Sequence, residues 1–138
     1  VLGSVYEYLQ DSLGLCKMLQ SKCRQFIVTN GTSETQRKKI SLSGFKDCME
    51  ACFISEEIGY DKPDIAFFTH VFAQIKDFDP KKALIIGDTL TSDIKGGIDA
   101  GIATCYFNAG RKPVPEAFKP DYEIDHLWDI LRILDFMI

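Results

Sequence analysis

A chain of 138 residues is long enough for one domain with a real core and too short for two, so residues 1–138 are read as a single unit. Its 46% hydrophobic and 26% charged residues are ordinary for a globular protein, and a net charge of −4 offers no basic field to a nucleic acid polymer. No apolar run approaches the about 20 residues of a bilayer-crossing helix, and no secretory pattern opens the chain; a cytoplasmic protein with no membrane partner is expected.

In chain order, residues 4–20 are predicted to form a helix, because Val5, Leu9, Leu13, Cys16 and Leu19 recur at intervals of three or four. Gln25 to Val28 reads as a short strand that stops at Thr29-Asn30-Gly31. Thr32 to Ser43 returns to helix, with Thr32 or Ser33 as its cap and Gly44 as its end. Cys52 to Ile54 is a brief second strand. Pro63 then opens an amphipathic helix in which Ile65, Phe68, Phe72 and Ile75 share a face. Ala83 to Ile86 is a buried strand, Ser92 to Ala100 a helix closed by Gly101, and Ala103 to Phe107 another strand. A proline-bearing loop leads to an edge strand, Tyr122 to Ile124, and a last helix, Leu127 to Leu134. Strands alternating with helices imply an α/β fold: a parallel, Rossmann-like sheet covered on both faces.

The five cysteines are odd in number and have no histidine cluster beside them, so they read as buried thiols rather than a metal site. Gly96 and Gly97 lie inside a predicted helix, where each costs roughly 1 kcal/mol relative to alanine; close packing of helix on sheet is the expected compensation. They form no dinucleotide fingerprint, because G-x-G-x-x-G after a strand is absent.

In an open α/β sheet, ligands bind beyond the carboxyl ends of the strands. Two strands end there in small polar or acidic residues: Thr29-Asn30-Gly31 and Gly87-Asp88. Asp88 leaves an apolar strand with no local partner. A hard cation such as Mg²⁺, which takes one or two protein carboxylates plus waters and phosphate oxygens, would satisfy it. Asp93 falls in the first turn of the following helix, where the dipole favours a carboxylate. Lys62 precedes Pro63 at a helix start, where a cation is disfavoured unless an anion is bound there. A hydroxyl and backbone amides at Thr29 to Gly31, a cation at Lys62 and a metal-type acid at Asp88 together describe a site for a metal-bound phosphate.

These stretches resemble the haloacid dehalogenase superfamily of hydrolases over nearly the whole chain. FIVTNG, residues 26–31, is similar to the second family motif, whose Ser or Thr hydrogen-bonds the phosphoryl group. Lys62 in DKPD resembles the third motif, the lysine that neutralises nucleophile and phosphate. GDTLTSD, residues 87–93, resembles the fourth, whose acids hold Mg²⁺. The resemblance implies Thr29, Asn30, Lys62 and Asp93 as catalytic residues and Thr29, Asn30, Gly31 and Lys62 as substrate contacts. It implies Asp88 as a direct metal ligand, with Asp93 a ligand through water or a brace for Lys62. VTNGTSETQ, ISEEIGYDKPD, GDTLTSDIKGGIDAG and ATCYFNAG look like the pyrimidine nucleotidase branch, which hydrolyses nucleoside 5′-monophosphates.

One departure is severe. The family's first motif is an Asp-x-Asp at the end of a central strand, whose first aspartate attacks phosphorus and whose second is the general acid and base. The D-x-D of this chain, Asp77-Phe78-Asp79, follows a helix and precedes Pro80. The chain opens with Val1, and its first methionine is Met18. The expectation is therefore a truncated core that starts after the first motif and the cap domain, lacking its central first strand. The two strand edges so exposed would be met by self-association or by complementation from an N-terminal segment. Two functions stay open: a Mg²⁺-dependent phosphatase of small phosphate esters acting through a phosphoaspartyl intermediate, and an inactive scaffold that binds phosphate or metal.

Overall fold

A computed structural model describes residues 2–4 and 12–137. Among these residues, six strands make one sheet: β1 (Leu2–Ser4), β2 (Gln25–Thr29), β3 (Ala51–Ile54), β4 (Leu84–Gly87), β5 (Ala103–Phe107) and β6 (Tyr122–Ile124). Their order is β3-β2-β1-β4-β5-β6, and every pairing is parallel. This is the doubly wound Rossmann-like arrangement, with the order reversing between β1 and β4. Among the described residues, six helices accompany it: α1 (Ser12–Leu19), α2 (Ser33–Ser43), α3 (Ser55–Ile58), α4 (Ile65–Gln74), α5 (Lys95–Ala100) and α6 (Ile130–Met137).

The central place in the sheet corrects the sequence reading. Leu2, Gly3 and Ser4 pair with Gln25, Phe26 and Ile27 on one side and with Leu84, Ile85 and Ile86 on the other. Leu2 to Ser4 of the chain itself thus occupy the place between β2 and β4 that was expected to be empty. The helix expected from residue 4 begins at Ser12, and residues 5–11 lie outside the described residues. At Ser4, the one described residue where strand replaces the expected helix, two buried ladder edges need donors and acceptors, and that demand outweighs local helical spacing.

Because strand side chains alternate between faces, β2 and β4 feed two cores, and β5 adds Cys105 to the first. Ile27, Leu84, Ile86 and Cys105 pack under Leu15, Leu19, Ile130 and Leu134. Phe26, Val28 and Ile85 pack under Phe67, Phe68, Val71 and Ile75 of the α4 side. The buried stripe of α4 is centred on Phe67, Phe68, Val71 and Ile75, which leaves Ile65 at its margin and exposed, against the expected face. The glycine pair of α5 is explained by contact. A Cβ on Gly97 would come within 2.6 Å of Ile85 Cγ2 and 2.7 Å of Thr104 Cγ2, and one on Gly96 would collide with the Phe68 ring. Helix α5 can lie on the sheet and against α4 only because both positions lack a side chain. Cys16, Cys48 and Cys105 are buried and Cys23 and Cys52 half-buried; all five are free thiols. Among the described residues, no helix is long and apolar enough to cross a membrane.

Candidate phosphate and metal site

The carboxyl ends of β2 and β4 carry the site. Thr29 is the last residue of β2 and is buried. The chain then turns at Asn30 and Gly31 into α2, whose N-cap Thr32 accepts from the Thr35 amide at 3.3 Å. Gly31 has φ +149°, a backbone state that side chains rarely adopt, and a Cβ there would lie 2.7 Å from Gln36 Nε2. The space is used. Gln36 in the first turn of α2 reaches back toward the helix start, as helical side chains do. Its Nε2 donates to Thr29 Oγ1 at 2.9 Å and to the Asn30 carbonyl at 2.7 Å. The Gly31 N–H donates to Ser55 Oγ at 2.9 Å, so the expected role of Gly31 as an amide donor to phosphate is displaced; it supplies room instead. Short helix α3 also anchors α2, through Ser33 N–H to Glu56 at 2.9 Å and Arg37 to Glu57.

Lys62 does not sit at a helix start. Lys62 and Pro63 lie in a turn joined by a cis bond, and Asp64 caps α4 by accepting from the Ala66 amide. The helix-dipole argument for Lys62 is thereby replaced by a stronger constraint. Asn30 clamps its backbone from both sides, accepting from Lys62 N–H at 2.9 Å and donating to Lys62 C=O at 3.0 Å. The side chain is only 4% exposed. Its Nζ donates to the Val28 carbonyl at 3.0 Å and to Asp93 Oδ1 at 2.6 Å. An ammonium this buried persists only with a paired charge, and Asp93, 2% exposed, supplies it.

Asp93 is placed by an irregular segment. Residues Leu90–Ile94 form one wide π turn between β4 and α5, a local device frequent at functional sites. Its carboxyl lies so close to Gly87 that a Cβ on Gly87 would overlap Oδ2. Burial pushes the Asp93 carboxyl above the usual range, Lys62 beside it pulls down, and the charge of Asp88 adds to the upward push. Asp93 thus stands as the brace of Lys62.

Asp88 follows β4 directly and is exposed; its side chain accepts a hydrogen bond from Thr89 Oγ1 at 3.1 Å. A hollow of about 250 Å³ beside it is lined by Tyr106, Asn108 and Lys112 among others. The described residues contain no group of three or more metal-type side chains. A lone open carboxylate still fits Mg²⁺, which needs few protein ligands when a phosphate and waters complete its shell. The Asp77-Phe78-Asp79 stretch is elsewhere. Asp79 caps the turn before β4 by accepting from the Lys81 amide, at the opposite end of that strand from Asp88.

Sequence reasoning singled out Thr29, Asn30, Gly31, Lys62, Asp88 and Asp93, and the structure brings all six to one end of the sheet. It missed Gln36, Ser55 and the Val28 carbonyl, whose only sequence signal is their closeness to the β2 and β3 ends.

The family model for haloacid dehalogenase-like hydrolases matches residues 5–107. The chain belongs to that family. The HAD-hydrolase YfnB of Bacillus subtilis is 41% identical over 131 residues, covering 94% of this chain and 55% of YfnB. The pyrimidine 5′-nucleotidase YjjG of Escherichia coli is 33% identical over 126 residues, covering 91% of this chain and 56% of YjjG. A crystal structure of YfnB bound to magnesium superposes with a TM-score of 0.90 at 40% identity, over 92% of this chain and 56% of that one. The chain spans about half the length of these relatives.

Proposed function

We propose that the chain is the phosphoryl- and metal-binding part of a Mg²⁺-dependent phosphatase-type hydrolase for small phosphate monoesters, with nucleoside 5′-monophosphates as the substrate class. The observation that carries this reading is the Lys62 ammonium. It is fixed to Asp93 and to the carbonyl of Val28, the residue before Thr29 in the chain. Two of its three hydrogens are spent on those partners, and the third is left to meet an anion. Thr29 would donate its hydroxyl hydrogen to a phosphoryl oxygen, and Lys62 would balance the phosphoryl charge in a preorganised, low-dielectric setting. Asp88 would hold Mg²⁺, which when bound polarises the phosphoryl oxygens. Asp93 keeps Lys62 charged and aimed. The nucleotidase branch is supported by the likeness to YjjG and by the motif phrases shared with that branch.

One observation favours a second reading. Strand β1, which occupies the central place between β2 and β4, consists of Leu2, Gly3 and Ser4 and brings no carboxylate. A phosphate- and metal-binding scaffold without the aspartate nucleophile fits that composition. The test is Mg²⁺-dependent hydrolysis of a generic phosphate ester and of pyrimidine nucleoside monophosphates, with Asp88→Asn as control. Hydrolysis abolished by Asp88→Asn supports the enzyme. No hydrolysis, with Mg²⁺-enhanced binding of inorganic phosphate retained, supports the scaffold. Neither hydrolysis nor binding overturns both.

A further inference from the structure

We infer that Gln36 is a positioning residue for the phosphate site, holding the Thr29 hydroxyl hydrogen free for a bound anion; the inference rests on the proposed phosphate role of Thr29. A threonine hydroxyl has one hydrogen to give and two lone pairs to fill. Left alone at a strand end, it donates to a nearby backbone carbonyl, as Ser and Thr do in turns. Here one amide nitrogen competes with that choice twice. Gln36 Nε2 donates to Thr29 Oγ1 at 2.9 Å, so the Thr29 hydrogen must point elsewhere. The same nitrogen donates to the Asn30 carbonyl at 2.7 Å, occupying an acceptor close to Thr29. The arrangement is built rather than incidental: Gln36 is buried, and Gly31 leaves the volume into which its side chain fits. The same turn carries Asn30, whose side chain clamps the Lys62 backbone. Gln36 thus ties α2 to both the hydroxyl and the cation of the site without touching the anion.

The experiment is calorimetric titration of inorganic phosphate into the chain and into Gln36→Met, Thr29→Val and the double variant, with Lys62→Met as reference. Gln36→Met is expected to weaken phosphate binding about tenfold, the scale of one hydrogen bond to a charged group. In the Thr29→Val background, Gln36→Met should add less than about twofold, because there is no hydroxyl left to orient. A merely structural role would weaken binding equally in both backgrounds, and that result overturns the inference. Phosphate affinity unchanged by Gln36→Met while Lys62→Met abolishes binding also overturns it and leaves the functional reading intact. Phosphate binding indifferent to Lys62→Met overturns the functional reading and the inference with it. Should Gln36→Met fail to fold, Gln36→Asn takes its place, since it keeps the amide but shortens its reach.

Discussion

The two strand ends that make the site are finished to different degrees. At β2, every polar group has an assigned partner: Thr29 with Gln36, Asn30 with Lys62, Lys62 with Val28 and Asp93. At β4, Asp88 stands exposed with one weak contact from its neighbour Thr89. The closed half is built from buried groups that the fold must satisfy, so on the proposed reading it is both a binding surface and a part of the core. The open half contributes almost nothing to folding and leaves its charge for a ligand. Substitutions on the two sides should therefore separate stability from binding.

The largest effect is expected at the buried pair. Asp93→Asn leaves an ammonium without its counter-charge, and Lys62→Met leaves a carboxylate without its own; either should cost about 3–5 kcal/mol in chemical denaturation. The double variant should recover most of that loss, because two neutral groups need no partner. If either single change costs under about 1 kcal/mol, the closed half is not structural. Next comes Gly87→Ala, whose Cβ would enter the space of the Asp93 carboxyl. A loss of about 1–3 kcal/mol is expected, together with weaker phosphate binding as Lys62 loses its brace. Asp88→Asn should leave the unfolding midpoint within about 0.5 kcal/mol of the parent and remove the gain in phosphate affinity from Mg²⁺.

The smallest effect is electrostatic and lies away from the site. Arg37 and Arg24 hold Glu57 and Glu50 below the usual carboxylate range, and Arg111 does the same for Asp125. A lowered folded-state pKa means that the unfolded chain binds more protons there. These pairs therefore stabilise the fold above the ordinary carboxylate range, and the contribution is lost as pH falls through the lowered values. The side chains of the Arg37–Glu57 pair are a third to a half exposed, so solvent screens it and Glu57→Gln should cost no more than about 1 kcal/mol. A pH series of unfolding midpoints, with Glu57→Gln losing only part of the acid limb, checks this.

Much of this asymmetry was legible in the sequence. The apolar runs at β2, β4 and β5 are bounded by TNG, GD and NAG, and the caps at Thr32, Gly44 and Gly101 follow local rules that need no tertiary information. The residues at the ends of those strands were identifiable for the same reason. What could not be read depends on distant neighbours. Leu2-Gly3-Ser4 carries no strand pattern of its own and becomes β1 only because β2 and β4 both need pairing. The position of Lys62 was misjudged because the clamp on it comes from Asn30, thirty-two residues away. Gln36 reads as one more polar residue on a polar helix until Gly31 makes room for it.

In the proposed phosphate site the cationic half is prebuilt and the metal half is added. Titration of inorganic phosphate into the chain and into Asp88→Asn, each with and without Mg²⁺, tests it most directly. The account predicts measurable phosphate binding without Mg²⁺ in both, and a gain on adding Mg²⁺ in the parent only. Equal Mg²⁺ enhancement in both proteins, or no binding to either, would contradict it.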